Sequence, residues 1–300
     1  MKILIAGATG AIGKALLPLL KADGQTVIAL THSAEAETES IQADALDAEA
    51  VQDAIRRVRP DVIINELTVL PKHYTPEAMR AAAELDRKVR VEGNANLLAA
   101  ARGAGVRRYI LQSAAFCYSP GLGLADETTP FAFDASPGVA AGTRTYAELE
   151  AKAMGNPNLE SVAVRYGFFY GPGTWFTKEG DVGEQVRRGQ VPVAGGGHGV
   201  WSFVHIEDAA AATVVALHCA PGAYNIVNDE PLEQGVWLPA FARYLGAPRP
   251  PQVTEEQALQ AAGADSVYYA MRLRGASNQK ASRELSFQPR KLEWLDKPSV

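Results

Sequence analysis

The stretch GATGAIG, residues 7–13, has the residue types and spacing to hold a diphosphate. Gly7, Gly10 and Gly13 permit a tight turn and let the backbone approach a pyrophosphate closely. The candidate contacts are Gly7, Thr9, Gly10, Ala11, Ile12 and Gly13, which open a helix with unpaired N–H groups and a partial positive charge. The apolar run KILIA precedes the loop and a helical pattern follows it, so the triplet lies in a first βαβ unit, where the signal is specific. A dinucleotide site for an unphosphorylated ribose wants a carboxylate at the end of the next strand. There the chain has Thr31, His32 and Ser33, and no carboxylate follows the strand until Glu35. Hydrogen-bonding side chains, with His32 able to carry charge beside a phosphate, favour NADP, with NAD as the alternative.

The elements that must position this loop are legible as alternation. KILIAGA, QTVIALT, PDVIINEL, RRYILQSAA and SVAVRYGFFYG read as strands. AIGKALLPLLKADG, DAEAVQDAIRRVR and a long alanine-rich stretch from Met79 to Gly105 read as helices. TRTYAELEAKA, residues 143–153, reads as a further short helix. Continuous apolar strands alternating with helices predict an α/β fold, a doubly wound parallel (Rossmann) sheet covered on both faces. From about residue 171 loops dominate, as in GPGTWF, GGGHG and APRPPQ. The expected organisation is a dinucleotide-binding domain over 1–170, rejoined by 203–228. A smaller, discontinuous substrate lobe takes 171–202 and 229–300, with a cleft for a small ligand between them.

Composition narrows the partners. A net charge of −5 over 300 residues, with no long basic run, argues against nucleic acid and anionic membrane. No apolar stretch approaches the ~20 residues that span a bilayer, and no signal-peptide pattern opens the chain. Cys117 and Cys219 read as buried free thiols rather than a disulfide or metal pair, and no metal site is expected. The expected location is the cytoplasm.

The same residues resemble the extended short-chain dehydrogenases/reductases, the NAD(P)-dependent epimerase/dehydratase group. GATGAIG is similar to that family's GxxGxxG loop. VRVEGNANLLAAARGAGVRRYILQSAA, VRYGFFYGPGTWF, WSFVHIEDAAAATVVAL and SNQKASRELSFQP resemble its later motifs. The resemblance implies that Asp44 and Ala45 border the adenine and that Leu67 and Thr68 line the cofactor. It places the backbone of Tyr166 and Gly167 near the nicotinamide. It implies an oxidoreductase of the carbonyl reductase or alcohol dehydrogenase type acting on a small molecule. A nucleotide-sugar epimerase and a non-catalytic cofactor sensor are the alternatives. Homodimers through two long helices are also implied, by analogy only.

That family works with a Ser/Thr–Tyr–Lys set, in which lysine shifts a phenol of pKa near 10 toward neutrality. Here the set is incomplete. Tyr146 is the candidate proton donor, yet its i+4 partner is Glu150, which is expected to raise the phenol pKa. Lys152 lies on another face of the helix. Ser113 is the candidate catalytic serine if the register slips by one, since the direct match falls on Ala114. Arg90 stands where the family has asparagine, and a guanidinium cannot accept a hydrogen bond. Tyr118 and Tyr166 are alternative acids. Arg187, Arg188, Arg272 and Arg274 are candidates to clamp an anion, and His198 is a candidate to touch substrate. His205 and Asp208 read as the start of a helix rather than a catalytic pair.

Overall fold

The computed structural model describes residues 1–32 and 38–295, and its first half alternates strand and helix. The order is β1 (Lys2–Ala6), α1 (Ala11–Ala22), β2 (Thr26–Thr31), β3 (Ser40–Gln42), α2 (Ala48–Val58), β4 (Val62–Asn65), α3 (Pro76–Ala104), β5 (Arg108–Ala114), α4 (Pro137–Met154) and β6 (Glu160–Tyr166). Shorter pieces follow: β7 (Phe168–Tyr170), α5 (Asp181–Arg187), β8 (Val193–Ala194), β9 (Val200–Trp201), β10 (Phe203–His205), α6 (Ile206–Val215) and β11 (Gly222–Ile226). The remainder is β12 (Leu232–Glu233), α7 (Gln234–Tyr244), β13 (Gln252–Val253), α8 (Glu255–Ala262), α9 (Ala264–Met271) and α10 (Gln279–Leu285).

Seven parallel strands lie in the order β11-β6-β5-β4-β1-β2-β3. Strand side chains alternate in direction, so β1 sends Ile3 and Ile5 to one face and Leu4 and Ala6 to the other. The first face is covered by α1 and α6 through Leu16, Leu20, Ala209 and Ala212. The second is covered by α2, α3 and α4 through Ile55, Leu97, Ala101 and Leu149. This is the doubly wound sheet, and the strand order reverses between β1 and β4. The crevice outside the carboxyl ends of strands at such a reversal is where ligands bind in open α/β sheets.

Local chemistry sets the helix ends. Asp47 caps α2 by accepting from the N–H groups of Glu49 and Ala50. The long helix α3 begins at Pro76 rather than Met79, because Thr75 caps it and proline suits the first turn. Helix α4 likewise begins at Pro137, well before the predicted Thr143.

A third core is aromatic. Phe168, Phe176, Trp201, Phe203, Trp237, Phe241 and Trp294 bury together with flanking rings of Tyr74, Phe116 and Tyr269. Ala281, Leu285 and Phe287 bury in the α1/α6 core, so α10 packs on the sheet.

Candidate active site

The glycine loop lies at the sheet's switch point. Gly7 has a φ of +93°, and a β-carbon there would collide with the Glu66 carbonyl, so it would be both strained and obstructed. The Gly10 N–H donates to the Gly7 carbonyl at 3.0 Å and closes the turn. A β-carbon on Gly13 would strike the backbone of Gly7 and Ala8, whereas one on Gly10 meets only the Gly7 carbonyl at 3.3 Å. Gly7 and Gly13 are therefore fixed by packing, and Gly10 by the space it leaves open. The N-terminus of α1 has no side-chain cap and no acidic residue in its first turn. This end suits a diphosphate, which would take the unpaired N–H groups beside Thr9, Ala11 and Ile12.

Along the same edge, Thr31 ends β2 buried, and His32 is exposed with its carbonyl accepting from Gln42. Ser33 and Glu35 lie outside the described residues. Asp44 folds its own loop by accepting from the Leu46 N–H at 2.9 Å, and the Ala45 carbonyl accepts from Asn96. Leu67 packs so closely over Gly93 of α3 that a side chain there would displace it. Gly167 packs against the Ser202 backbone and donates its N–H to Ile226.

The candidate catalytic residues belong to two separate networks. In the first, the Ser113 hydroxyl donates to Glu150 Oε1 at 2.5 Å, and Arg165 grips Glu150 with two donors at 2.8 and 2.6 Å. Arg165 also donates to the Tyr118 hydroxyl, which passes its own proton to Asn225. All five side chains are buried. In the second, the Arg90 guanidinium lies over the Tyr146 ring, 5.1 Å from its centroid. Arg90 is held by Asp86 at 2.8 Å and by Thr68 at 2.9 Å. The half-buried Tyr146 meets Phe116 edge to face, and its hydroxyl makes no hydrogen bond among the described residues.

Three side chains are placed accordingly. Glu150 does not act on Tyr146, because its charge is committed to Arg165. The Tyr146 phenol is indeed pushed up, to about 12, but by burial, with the Arg90 charge opposing the shift. Arg90, anomalous as a lost acceptor, is the cation over the face of the Tyr146 ring. Ser113 is not joined to Tyr146, since its hydroxyl is spent on Glu150. Lys152 pairs with exposed Glu148 on the outer face of α4. One turn before Tyr146 stands Gly142, with open space where its side chain would be. A difference spectrum of the wild type minus Tyr146→Phe should therefore show no tyrosinate signal up to about pH 10.5. Ionisation of Tyr146 near pH 10 would mean that Arg90 outweighs burial.

Glu66 and Tyr166 form a third group that the sequence did not flag as a pair. Tyr166 donates to Glu66 Oε1 at 3.0 Å and shares a short hydrogen bond with Thr213 of α6. Burial pushes the Glu66 carboxyl up to about 8, and its Oε2 is buried with no partner among the described residues. Tyr118 and Tyr166, the alternative acids, are both fully engaged. A charged residue at the end of an otherwise apolar strand is the signal that marks Glu66 in VIINE and Arg165 in VAVR.

Of the other candidates, His205 caps α6 and Asp208 pairs with Arg290. Arg187 and Arg188 pair with Glu184, and His198 faces Glu233. Arg274 is held by the carbonyls of Leu122 and Gly123. Arg272 lines a cavity of about 550 Å³ beside Ser136 and Tyr268, whose hydroxyls are buried without partners among the described residues. Among the described residues no cluster could hold a metal ion, and no helix is long and apolar enough to cross a membrane.

The sequence matches the profile of the NAD dependent epimerase/dehydratase family over residues 3–227. It is 40% identical over 304 residues to the 3-diazoavenalumate denitrifying reductase of a Streptomyces species, covering 99% of this chain and 98% of that protein. It is 27% identical over 293 residues to the 2-alkyl-3-oxoalkanoate reductase of Stenotrophomonas maltophilia, covering 92% and 86%. The crystal structure of the UDP-glucose 4-epimerase of Thermus thermophilus in complex with NAD has a TM-score of 0.73 at 24% identity, over 98% of this chain and 96% of that one. At that identity the likeness speaks for the fold.

Proposed function

Since the chain belongs to the NAD dependent epimerase/dehydratase family and is an NAD(P)-dependent oxidoreductase, we propose that it reductively removes a diazo group from an aromatic carboxylate. The reading rests on the absence, among the described residues, of a lysine-assisted proton donor from the site. Ser113 is committed to Glu150, Glu150 to Arg165, and the Tyr146 phenol is held near 12. Ketone reduction needs a proton on the product oxygen. Replacement of a diazonium group does not: one hydride added to Ar–N₂⁺ leaves Ar–H and N₂, with charge and atoms balanced. A bound nicotinamide would supply the hydride. The residues of this chain have only to position the ring and exclude water. The partly buried rings of Phe116, Tyr146 and Tyr269 around Phe168 offer faces and edges for an arene. Gly142 leaves room beside them.

Gly7, Thr9, Gly10, Ala11, Ile12 and Gly13 would hold the diphosphate, and Asp44 and Ala45 the adenine. Leu67, Thr68, Tyr166 and Gly167 would border the nicotinamide half. Thr31 and His32 leave β2 without a carboxylate at its end, which favours the 2′-phosphate of NADP over NAD. The region around the aromatic core is the substrate lobe.

One observation favours a second reading. The unbonded Tyr146 hydroxyl, protonated at neutral pH, can donate a proton to a reduced carbonyl. The experiment is to supply cofactor deuterated at the transferable position with a diazotised amino-cinnamate, and separately with 3-oxo acids. Deuterium on the ring carbon that carried nitrogen, with N₂ release, is the expected result. Turnover only of oxo acids, abolished in Tyr146→Phe, would overturn it in favour of carbonyl reduction. Cofactor-retaining isomerisation of a nucleotide sugar would overturn both.

A further inference from the structure

Two phenols beside the aromatic core have no part in the reaction described above. Tyr74 lies in the loop between β4 and α3, and Tyr269 lies on α9. Both side chains are partly buried, and neither hydroxyl makes a hydrogen bond among the described residues. Their backbones are pinned. The Tyr74 N–H donates to Asp181 of α5 at 2.7 Å, and its carbonyl accepts from Gln185 at 3.0 Å. The Tyr269 carbonyl accepts from Trp201 Nε1 at 2.9 Å. Their rings are held as well, Tyr74 at 4.7 Å from Trp175 and Tyr269 at 5.9 Å from Trp201, centroid to centroid.

Phe168 joins both phenols to Tyr146. Phe116, which meets Tyr146 edge to face, stacks on Phe168 at 4.6 Å. Tyr269 meets Phe168 edge-on at 6.0 Å, and Tyr74 reaches it through Phe176, at 5.9 and 6.2 Å. The Tyr269 hydroxyl lies within electrostatic reach of the hydroxyls of both Tyr74 and Tyr146. Burial holds all three phenols above their usual range, so each keeps its proton at neutral pH. The site therefore gathers O–H donors for which the described residues offer no acceptor. Packing alone is served by phenylalanine, which the same core carries at 168, 176, 203 and 241. The charges in reach favour an anion as the missing acceptor. Arg90 stands over the Tyr146 ring, and the Asp265 carboxylate that acts on Tyr269 is already bonded to the N–H groups of Gly138 and Val139.

We propose that Tyr74 and Tyr269 determine substrate specificity by donating hydrogen bonds to the carboxylate of an aromatic acid, an inference that rests on the arene site proposed above. The ring of that acid lies against the Phe168 cluster, and its carboxylate takes the two O–H groups. A hydroxyl bonded to an ionised acceptor is held about twice as strongly as one bonded to a neutral acceptor, so the pair distinguishes an acid from its amide.

The test is calorimetric titration of the full chain, with oxidised NADP present, using cinnamate and cinnamamide as probes. The wild type should bind cinnamate about tenfold tighter than cinnamamide. Tyr74→Phe and Tyr269→Phe should each weaken cinnamate by about tenfold and leave cinnamamide within about twofold. Both variants should melt with the wild type, because removing an unpartnered hydroxyl strands no other group. If one of them fails to fold, the other carries the test alone. A wild type that binds neither probe, or binds both equally, overturns the proposal. So does unchanged cinnamate affinity in either variant, or an equal loss for both probes, which would reduce the tyrosines to ring packing. Binding is read without turnover. Failure to release N₂ from a diazotised acid would therefore strike the proposed reaction and leave this assignment standing.

Discussion

A Glu150→Lys variant, which restores the family's lysine one turn after Tyr146, should lose stability rather than gain activity. Glu150 is clasped by both arms of Arg165 in the interior and accepts the Ser113 proton. Removing one partner of such a pair leaves an uncompensated charge, at a cost of about 3–5 kcal/mol. Lysine goes further, because it sets a second cation against the first and leaves Ser113 without its acceptor. For a domain of this size the melting temperature should fall by roughly ten degrees or more. The comparison with Glu150→Gln separates charge from shape. Glutamine keeps an acceptor for Ser113 and Arg165 and should be milder than lysine. A Glu150→Lys protein that melts with the wild type and turns over substrate faster would show that Arg165 has another outlet for its charge.

The second large effect concerns Gly10→Val. Gly10 has an ordinary backbone, with φ of −71°, and its missing side chain would meet little of the protein. The fold should therefore survive, with a melting temperature within about 2 °C of the wild type. Cofactor affinity should fall by about 100-fold, near 2.7 kcal/mol, because the branched side chain occupies the approach a diphosphate needs. Titration of intrinsic fluorescence with reduced cofactor measures this directly. Gly7→Ala makes the contrast. Its positive φ and its collision with Glu66 should cost stability as well as binding. Unchanged affinity in a folded Gly10→Val protein would remove the glycine loop from the cofactor site.

The parts of the molecule that follow from neighbours in sequence were legible in the chain. The glycine loop, the alternation of apolar strands with helices, and the helix start after Asp47 all depend on residues within one turn or one strand of each other. The third dimension of the site was not. Glu150 and Arg165 are 15 residues apart, and Glu66 and Tyr166 are 100 apart. Their pairing depends on strand order, which no local pattern carries. Arg90 shows the cost of reading one residue against a motif. As a replacement for asparagine it is a loss, whereas over the Tyr146 ring it is a cation supplied from another helix. Glu150 shows the reverse. Sequence spacing put it beside the phenol, and the fold turns its charge to Arg165.

The placement of residues 281–294 bears on how the chain is made. Ala281 and Leu285 close the α1/α6 core, Leu292 and Trp294 close the aromatic core, and Arg290 ties to Asp208 between them. During vectorial synthesis, both cores therefore stay open at one side until translation has passed residue 294 and the exit tunnel has released it. The nascent polypeptide carries a completed glycine turn long before it has a finished interior, and must wait for that late segment to commit.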